Sequence, residues 1–517
     1  VEKKAEPKAE KKAEKKAEKK DDKKDDKSKD IVIEFEGMDE RIVRLTPYSG
    51  NVSGYTLSKD GKALYYLMAL EGGYDMWQID LYDRSNKVVQ KGAGSGSFVW
   101  DAKRENLFLL GGSMKRFKGG APTSMSTISA RCEMAYNPAE ERAYMFDRIY
   151  RQEKERFYTK TMHGVDWEAM CKNYAQFLPS IDNNYDFAEL TSELLGELNV
   201  SHTGCTYSGT PDSHADATAD LGVFFDLKAK GDGLKIDEII AGGPLDKASL
   251  DIKPGDIIEK IDGEEIKEGM DYYPLLNRKA GNRVLLSLYR PEGKKHWEVV
   301  VKPTSRGTIN ALLYKRWVKQ RAEDVKRLSN GRLGYVHIES MNDGSYRTVY
   351  ADILGRYNHC EGIVIDTRFN GGGRLHEDIE ILFSGEKYLT QVVRGKEACD
   401  MPSRRWNKPS IMVTCEANYS NAHGTPWVYQ QMGIGKVVGM PVPGTMTSVS
   451  WERLQDSSLT FGIPIVGYRK ADGGYLENDQ LEPDVKVANT PELIVTGRDE
   501  QLEMAVKVLL EEIDASK

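Results

Sequence analysis

The chain is organised around the sequence Cys415-Glu416-Ala417-Asn418-Tyr419-Ser420-Asn421-Ala422-His423-Gly424. An apolar strand, Ile411 to Thr414, precedes it, and Trp427-Val428-Tyr429 after it is typical of the start of a helix. A serine on such a strand-to-helix turn projects its hydroxyl from the sheet edge, where the helix N-terminus favours developing negative charge. The pattern therefore predicts that Ser420 is a nucleophile, with an ordinary turn serine as the alternative.

A glycine-rich loop, Asp366-Thr367-Arg368-Phe369-Asn370-Gly371-Gly372-Gly373, follows another apolar strand. Its glycines let the backbone approach a ligand closely, and their amides can form an anion-binding nest. Phosphate binding is the rival interpretation, but the loop has neither the GxxxxGK[ST] nor the GxGxxG pattern. We expect an oxyanion hole that uses one or two of these amides, with Asp366 bracing the loop.

Apolar strands that alternate with helices indicate an α/β domain for residues 304–517, with a mostly parallel sheet buried on both faces. Strands are predicted at Leu333 to Ile338, Gly362 to Asp366, Ile411 to Val413 and Lys436 to Gly439. Helices are predicted at Tyr314 to Leu328, Tyr346 to Tyr357 and Asp499 to Ile513.

A serine nucleophile needs a general base, and the chain has eight histidines. His423 is three residues from Ser420, His376 follows the glycines, and His202 lies far away in the chain, in the pair Ser201-His202. Residue chemistry and spacing leave the choice among these three open.

Three segments mark a compact module at residues 217–303: Leu221-Gly222-Val223-Phe224, Gly242-Gly243-Pro244-Leu245-Asp246 and Ile252-Lys253-Pro254-Gly255-Asp256-Ile257-Ile258. Together they resemble a PDZ domain. The first of these would form a loop whose amides hold a peptide C-terminal carboxylate, beside a strand edge that accepts a ligand strand. The alternative is a blocked groove, with the module acting as a spacer.

The rest of the chain divides by composition. Residues 1–30 repeat Lys, Ala, Glu and Asp without large apolar residues, which predicts a charged disordered linker. Residues 31–118 have short strand-like runs, and Leu64 and Leu107 mark a repeat of 43 residues, close to the length of a propeller blade. Helical periodicity within residues 119–216 predicts a domain of helices with additional strands.

Composition excludes several classes of protein. The net charge of −7 does not favour nucleic acid binding, and the six scattered cysteines show no metal-binding spacing. No apolar run approaches the roughly 20 residues that span a bilayer. We therefore expect no metal and no membrane span.

Five segments occur in the following order: Leu198-x-x-Ser201-His202, the PDZ segment, Phe369-Asn370-Gly371-Gly372-Gly373, Asn418-Tyr419-Ser420-Asn421 and Leu476-Glu477-Asn478-Asp479-Gln480-Leu481-Glu482-Pro483-Asp484-Val485. In this order they resemble the tricorn family of PDZ-containing serine peptidases of the S41 class. The resemblance covers residues 31–517. It implies a multidomain α+β protein: a partial β-propeller-like region, a first core domain, a PDZ domain and a second core domain of the ClpP/crotonase type.

The resemblance also implies a catalytic tetrad. Ser420 matches the nucleophile, His202 the general base and acid, and Ser201 and Glu477 the residues that orient the histidine. The amides of Asn421 and of Gly371 or Gly372 would stabilise the oxyanion. Asn421 stands where the family has aspartate, which puts the substrate preference in doubt. The sister branch uses a lysine some two dozen residues after the serine, and no lysine occurs in that window.

Function follows from this resemblance as an expectation. The chain would hydrolyse oligopeptides or unfolded proteins without a cofactor, with a propeller as an access filter. The alternative function is an inactive PDZ scaffold that binds peptides. Ring-shaped homo-oligomers occur in the family. The likeness to exported bacterial proteins favours the periplasm, with the cytoplasm as the alternative.

Overall fold

The computed structural model describes residues 33–70, 72–118, 124–130 and 132–517. The linker predicted for residues 1–30 lies outside these residues. The chain forms two compact units, one ending at Ala135 and the other running from Tyr136 to Lys517. Each unit has hydrophobic clusters of its own.

The first unit consists of two antiparallel four-stranded sheets, each with its strands in chain order. The strands are β1 (Asn51–Leu57), β2 (Ala63–Ala69), β3 (Tyr74–Asp80), β4 (Asn86–Gln90), β5 (Gly96–Trp100), β6 (Asn106–Gly111), β7 (Lys115–Lys118) and β8 (Met125–Thr127). Side chains from both sheets, among them Leu67, Met76, Leu109 and Phe117, share one core.

The 43-residue repeat has a structural counterpart, because Leu64 and Leu107 both lie near the start of the second strand of their sheet. The second sheet continues past the predicted boundary at residue 118, since β8 pairs with β7. Two such sheets do not close a ring, and the described part of this unit contains no closed sheet. The propeller therefore stays a prediction.

The second unit holds the helices. They are α1 (Pro138–Arg156), α2 (Trp167–Ala175), α3 (Asn184–Gly196), α4 (Arg306–Leu328), α5 (Asp343–Ala351), α6 (His376–Phe383), α7 (Asn421–Gln431), α8 (Pro491–Ile494) and α9 (Glu500–Ala515). Polar caps start several of them, as when the Asn137 side chain accepts from Ala139 N ahead of Pro138. Helix α4 begins eight residues earlier than predicted, and α5 ends at Ala351, where a π-helical turn, Asp352–Arg356, takes over.

The strands of the second unit form three larger sheets and one hairpin. They are β9 (Gly204–Tyr207), β10 (Val223–Phe225), β11 (Leu234–Ile239), β12 (Ile257–Ile261), β13 (Glu264–Glu265), β14 (Val284–Arg290), β15 (Lys295–Val301), β16 (Leu333–His337), β17 (Gly362–Asp366), β18 (Leu389–Val393), β19 (Lys396–Met401), β20 (Ser410–Thr414), β21 (Val437–Gly439), β22 (Thr447–Arg453), β23 (Leu459–Gly467) and β24 (Val485–Lys486).

The helices α1 to α3 share a sheet and a core with a distant part of the chain. Strand β9 pairs with β23, and β23 pairs with β22. Leu459, Phe461 and Ile463 of β23 are buried in the same cluster as Phe187 and Leu194 of α3. The segment predicted as the first core domain is thus completed by residues that follow Ser420.

Strands β10 to β15 form an antiparallel sheet around a core of their own, which includes Ile236, Ile258 and Leu286. This module is inserted between β9 and α4. It therefore separates in sequence the two parts that β9 and β23 join in space.

The last part of the chain has a five-stranded sheet in the order β16-β17-β20-β21-β24, with every pair parallel. Every residue of β17 and β20 is buried, and separate clusters cover the two faces of the sheet. The predicted parallel sheet is confirmed. Because β17 and β20 are neighbours, the loops after Asp366 and Thr414 leave the same edge of the sheet, where ligands bind in such folds.

Candidate active site

Ser420 occupies the N-cap position of α7 in a strained conformation, with φ 58° and ψ −125°. A non-glycine residue held in such a conformation needs support from its surroundings. The Ser420 amide donates to Thr445 Oγ1 at 2.9 Å, while its hydroxyl makes no capping hydrogen bond. The hydroxyl is thus left available on a firmly held turn.

The turn is also braced from within. Pro426 lies inside α7 and cannot donate to the carbonyl of Ala422. The Asn418 side chain supplies this missing donor, since its Nδ2 lies 3.3 Å from Ala422 O and 3.0 Å from Thr367 Oγ1. Asn418 therefore ties the helix start to the loop that follows β17.

The glycine loop lies directly against Ser420. A Cβ atom on Gly372 would be 2.5 Å from Ser420 Cβ and 3.0 Å from its Oγ, and Gly372 has φ +98°. The Gly372 amide already donates to Asn370 Oδ1 at 2.8 Å, and Asn370 O accepts from the Tyr419 amide. In the described structure the amides of Gly371 and Asn421 have no hydrogen-bond partner.

Glu477, Ser201 and His202 form a continuous chain of hydrogen bonds. The Ser201 hydroxyl donates to Glu477 Oε2 at 2.9 Å and lies 2.8 Å from His202 Nδ1, and the Ser201 amide donates to Glu477 Oε1. Because the hydroxyl proton points to the carboxylate, Nδ1–H of His202 donates to Ser201 Oγ. His202 Nε2 is then the unprotonated nitrogen, free to accept a proton.

Thr447 joins the same network. Its Oγ1 lies 3.0 Å from both Ser201 Oγ and His202 Nδ1, and donates to Ser201 O at 3.4 Å. Sequence reasoning missed Thr447, the first residue of β22, and Thr445 in the loop before it, because a single hydroxyl residue at such a position has no recognisable pattern.

Contacts with Tyr419 hold His202 against the turn that carries Ser420. The His202 amide donates to Tyr419 Oη at 2.7 Å, and the two rings lie 4.8 Å apart. His202 has φ 62°, so its backbone is also held in an unusual conformation. No hydrogen bond joins Ser420 Oγ to His202 anywhere in the residues that the structure covers.

Burial sets the protonation states. Desolvation lowers the pKa of the His202 imidazole below its usual 6.5, so the ring is neutral near pH 7. Desolvation also raises the pKa of Glu477, while the hydrogen bonds from Ser201 oppose this shift. The arrangement suits a neutral base that is stabilised by a carboxylate once it takes up a proton.

The other two candidate histidines, His423 and His376, have different surroundings. The His423 ring is completely buried, which lowers its pKa to about 4, and no side-chain hydrogen bond joins it to Ser420. His376 Nδ1 lies 2.7 Å from Asn421 Nδ2. Asn421 Oδ1 also accepts from the amides of Leu375 and His376, so its side chain braces the start of α6.

The predicted carboxylate-binding loop leads into β10. The Gly222 amide donates to Asp220 Oδ1 at 2.7 Å, so this donor is occupied. Helix α4 packs beside the loop, because a Cβ on Gly222 would be 3.3 Å from Ile309 Cδ1. Arg316 of α4 lies over the Phe224 ring, 5.6 Å from its centre.

Asp366 has a structural role. It is fully buried, accepts from the Arg368 amide and side chain and from Tyr335 Oη, and Arg368 continues to Asp499 at the start of α9. The ion pair satisfies two buried charges at once. It fixes the base of the glycine loop.

Other features lie away from this site. A cavity of about 1260 Å³ runs along β16 between α4 and α5, and none of the predicted site residues lines it. The described residues contain no group of three His, Cys, Asp or Glu side chains that could hold a metal ion. No helix among them is both long and apolar enough to cross a membrane, and all six cysteines are unpaired.

Three family models match separate parts of the chain. Residues 138–196 match the tricorn protease C1 domain, residues 221–305 the tricorn protease PDZ domain, and residues 332–487 peptidase family S41. Helices α1 to α3, the β10–β15 module and the parallel sheet lie in these three ranges.

Curated relatives align along most of the chain. Tricorn protease homolog 1 of Streptomyces coelicolor is 26% identical over 514 residues, which are 92% of this chain and 47% of the relative. A putative tricorn-like protease C-terminal subunit of Sulfurisphaera tokodaii is 24% identical, covering 94% and 58%. Tricorn protease of Thermoplasma acidophilum is 22% identical, covering 91% and 44%. The chain spans about half the length of these relatives.

The fold agrees with a solved structure. The crystal structure of the tricorn protease superimposes with a TM-score of 0.72 at 20% identity, covering 88% of this chain and 46% of that one. At this identity the likeness establishes the fold alone. Residues 332–487 thus match peptidase family S41, and the chain as a whole is similar to tricorn proteases in sequence and in fold.

Proposed function

We propose that this chain is a serine peptidase that hydrolyses peptide bonds in oligopeptides or unfolded proteins. Ser420 is the nucleophile, His202 the general base and acid, and Ser201 and Glu477 orient the histidine. The observation that carries the proposal is the hydrogen-bonded chain Glu477–Ser201–His202, which ends in a free Nε2.

The chemistry balances with these residues. His202 Nε2 takes the proton of Ser420 Oγ as Oγ bonds to the carbonyl carbon, and the resulting imidazolium is stabilised through Ser201 by Glu477. Histidine then protonates the amine as the C–N bond breaks, leaving an acyl-enzyme. Water, deprotonated by His202, releases the acid and restores Ser420.

The oxyanion would lie between the amides of Gly371 and Asn421. Both are without a partner in the described structure, whereas the Gly372 amide is committed to Asn370. Each such donor is worth about 3–4 kcal/mol in the transition state. In this proposal Gly372 does not supply a donor. Its lack of a side chain leaves room beside Ser420 for the substrate backbone.

The proposal extends to the first unit and to the assembly of subunits. The two four-stranded meanders with their 43-residue repeat support an assignment as propeller blades. The resemblance to the tricorn family implies a ring of subunits, and light scattering of the purified protein would test this by measuring the mass.

Active-site labelling tests the proposal. A fluorophosphonate should modify wild-type protein at Ser420, identified by peptide mass spectrometry, and should not modify Ser420→Ala. His202→Ala should lose labelling and peptide cleavage, while His423→Ala should keep the labelling if it folds. Peptide cleavage by Ser420→Ala would overturn the nucleophile assignment. Loss of activity only in the His423 variant would overturn the base.

A catalytically inactive peptide-binding scaffold is the alternative. Two observations do not favour this alternative. Helix α4 packs against the loop before β10, and the Gly222 amide already donates to Asp220. If the fluorophosphonate fails to modify wild-type protein and that protein binds peptides tightly, the scaffold function would be favoured instead.

A further inference from the structure

A small cavity adjoins the candidate site. It measures about 170 Å³ and is lined by the first turns of α7 and by residues 468–470 and 476. Gly424 in its wall donates its amide to Ser420 O, and Leu476 in its wall precedes Glu477. The cavity therefore touches both the nucleophile turn and the segment that carries the orienting acid.

Its size suits one amino-acid side chain. Ligand sites for whole small molecules measure roughly 300–1,000 Å³. This cavity has the volume of about six water molecules at the ~30 Å³ that each occupies in the liquid. Trp427 and Met446 give it an apolar wall, along which the methylene groups of a side chain can pack.

The polar part of the wall is basic. His376, Arg469 and Lys470 line the cavity, and no Asp or Glu does. Lys470 is neutralised by Asp479 at 2.9 Å and Asp472 at 3.4 Å. Arg469 is exposed and forms no ion pair within the described chain.

His376 provides a second donor. Asn421 Nδ2 is a donor, so His376 Nδ1 accepts from it and the ring proton sits on Nε2. The ring is fixed between Asn421 and Tyr468, whose ring meets it edge-on at 6.4 Å. Tyr468 is itself held by Ser448 at 2.8 Å. A carboxylate in the cavity would thus meet a pre-oriented N–H and a guanidinium.

We propose that this cavity binds the side chain of the residue on the acyl side of the scissile bond, and that it selects acidic residues, glutamate before aspartate. The inference rests on the proposed peptidase function. Arg469 is the specificity residue, because it is the unpaired cation of the wall. Asn421 does not compete, since both ends of its amide are committed to α6.

The test compares peptides that differ only at the residue before the cleavage site: Glu, Gln or Lys, with both peptide ends blocked. For wild type we expect kcat/KM for Glu to exceed that for Lys by at least about tenfold, because Arg469 attracts the carboxylate and repels the ammonium group. Arg469→Glu should reduce this ratio at least tenfold, and Arg469→Gln should fall between them. Arg453→Glu, an exposed arginine of β22 outside the cavity, should keep the wild-type ratio.

The outcomes separate the two proposals. Cleavage of all peptides without a preference for Glu, or an unchanged ratio in Arg469→Glu, would overturn this inference alone. Cleavage that needs a free C-terminal carboxylate, whatever residue precedes the bond, would also overturn it, because the cavity would then hold the chain end. Absence of all cleavage together with absence of labelling at Ser420 would overturn the proposed function and this inference with it.

Discussion

Glu477 and Ser201 lie 276 positions apart in the chain, yet the Glu477 carboxylate accepts both the amide and the hydroxyl proton of Ser201. The pairing of β9 with β23 brings the two segments together, and Asn478 adds a hydrogen bond to Asn199 O at 2.8 Å. Orientation of His202 is therefore a property of the folded second unit rather than of either sequence segment.

Substitution of Glu477 tests this relationship. Glu477→Gln keeps the shape but offers one acceptor where Ser201 has two donors, and it removes the charge that stabilises the imidazolium. We expect kcat to fall roughly 10²–10⁴-fold with KM little changed, by analogy with the orienting acid of a triad. Steady-state kinetics measure the effect, with the exposed Glu492→Gln as the control. A kcat within threefold of wild type would contradict the tetrad.

The pH profile of kcat/KM should reflect the buried His202. Its pKa is lowered by desolvation, so the ring becomes protonated, and inactive as a base, only below pH 6.5. Protonation of Glu477, whose pKa burial raises, adds to the loss on the same acidic side. We expect the acidic limb of kcat/KM to have its midpoint below pH 6.5. A midpoint above that value would show that His202 is not the base, or that its environment is more polar.

Thr447 should act through His202 rather than on the substrate. Thr447→Val removes a hydroxyl 3.0 Å from His202 Nδ1 and from Ser201 Oγ. Loss of one hydrogen bond of roughly 1 kcal/mol predicts a fall in kcat of about fivefold. Thr447→Ser should restore the rate, because it returns the hydroxyl. A loss in Thr447→Ser without a loss in Thr447→Val would mean that the methyl group and its packing matter instead.

The sequence predicted the parallel sheet, the β-rich first unit and the turn at Ser420, because apolar strands and glycine loops leave local patterns. It did not predict that β23 completes the sheet of β9, since pairing across 250 residues has no local signature. The contacts of Thr447 and Tyr419 with His202 could not be predicted, because they depend on this pairing. The prediction of His202 over His423 as the base came from family resemblance. Complete burial of the His423 ring, which does not favour that ring as a base, is a property of the folded chain.

Gly372 should tolerate no side chain. A Cβ there would lie 2.5 Å from Ser420 Cβ and 2.8 Å from Tyr419 O, at a φ of +98° that L-residues avoid. We expect Gly372→Ala to displace the nucleophile and to lower fluorophosphonate labelling at least tenfold. Gly355→Ala is the matched control, because its Cβ would meet open space and its φ is ordinary. Equal labelling of the two variants would show that the loop can retreat from Ser420.

Glu153 should make the stability of the second unit depend on pH. It is fully buried in α1, and neither carboxylate oxygen has a hydrogen-bond partner among the described residues. Desolvation raises its pKa from 4.5 to about 8. Between these values the folded state holds a proton that the unfolded state has lost. The free energy of unfolding is therefore highest below pH 4.5, and it declines as the pH rises from 4.5 through about 8. The shift corresponds to at most about 5 kcal/mol.

Glu153→Gln keeps the neutral shape and removes the titration. We therefore expect the difference in melting temperature between variant and wild type to grow in favour of the variant from pH 5 to pH 8.5. Glu155→Gln, an exposed position two residues further along α1, should show no such trend. Scanning calorimetry at several pH values measures both. A difference that does not change with pH would mean that Glu153 is ionised and solvated in the folded protein, and that α1 opens to water at this position.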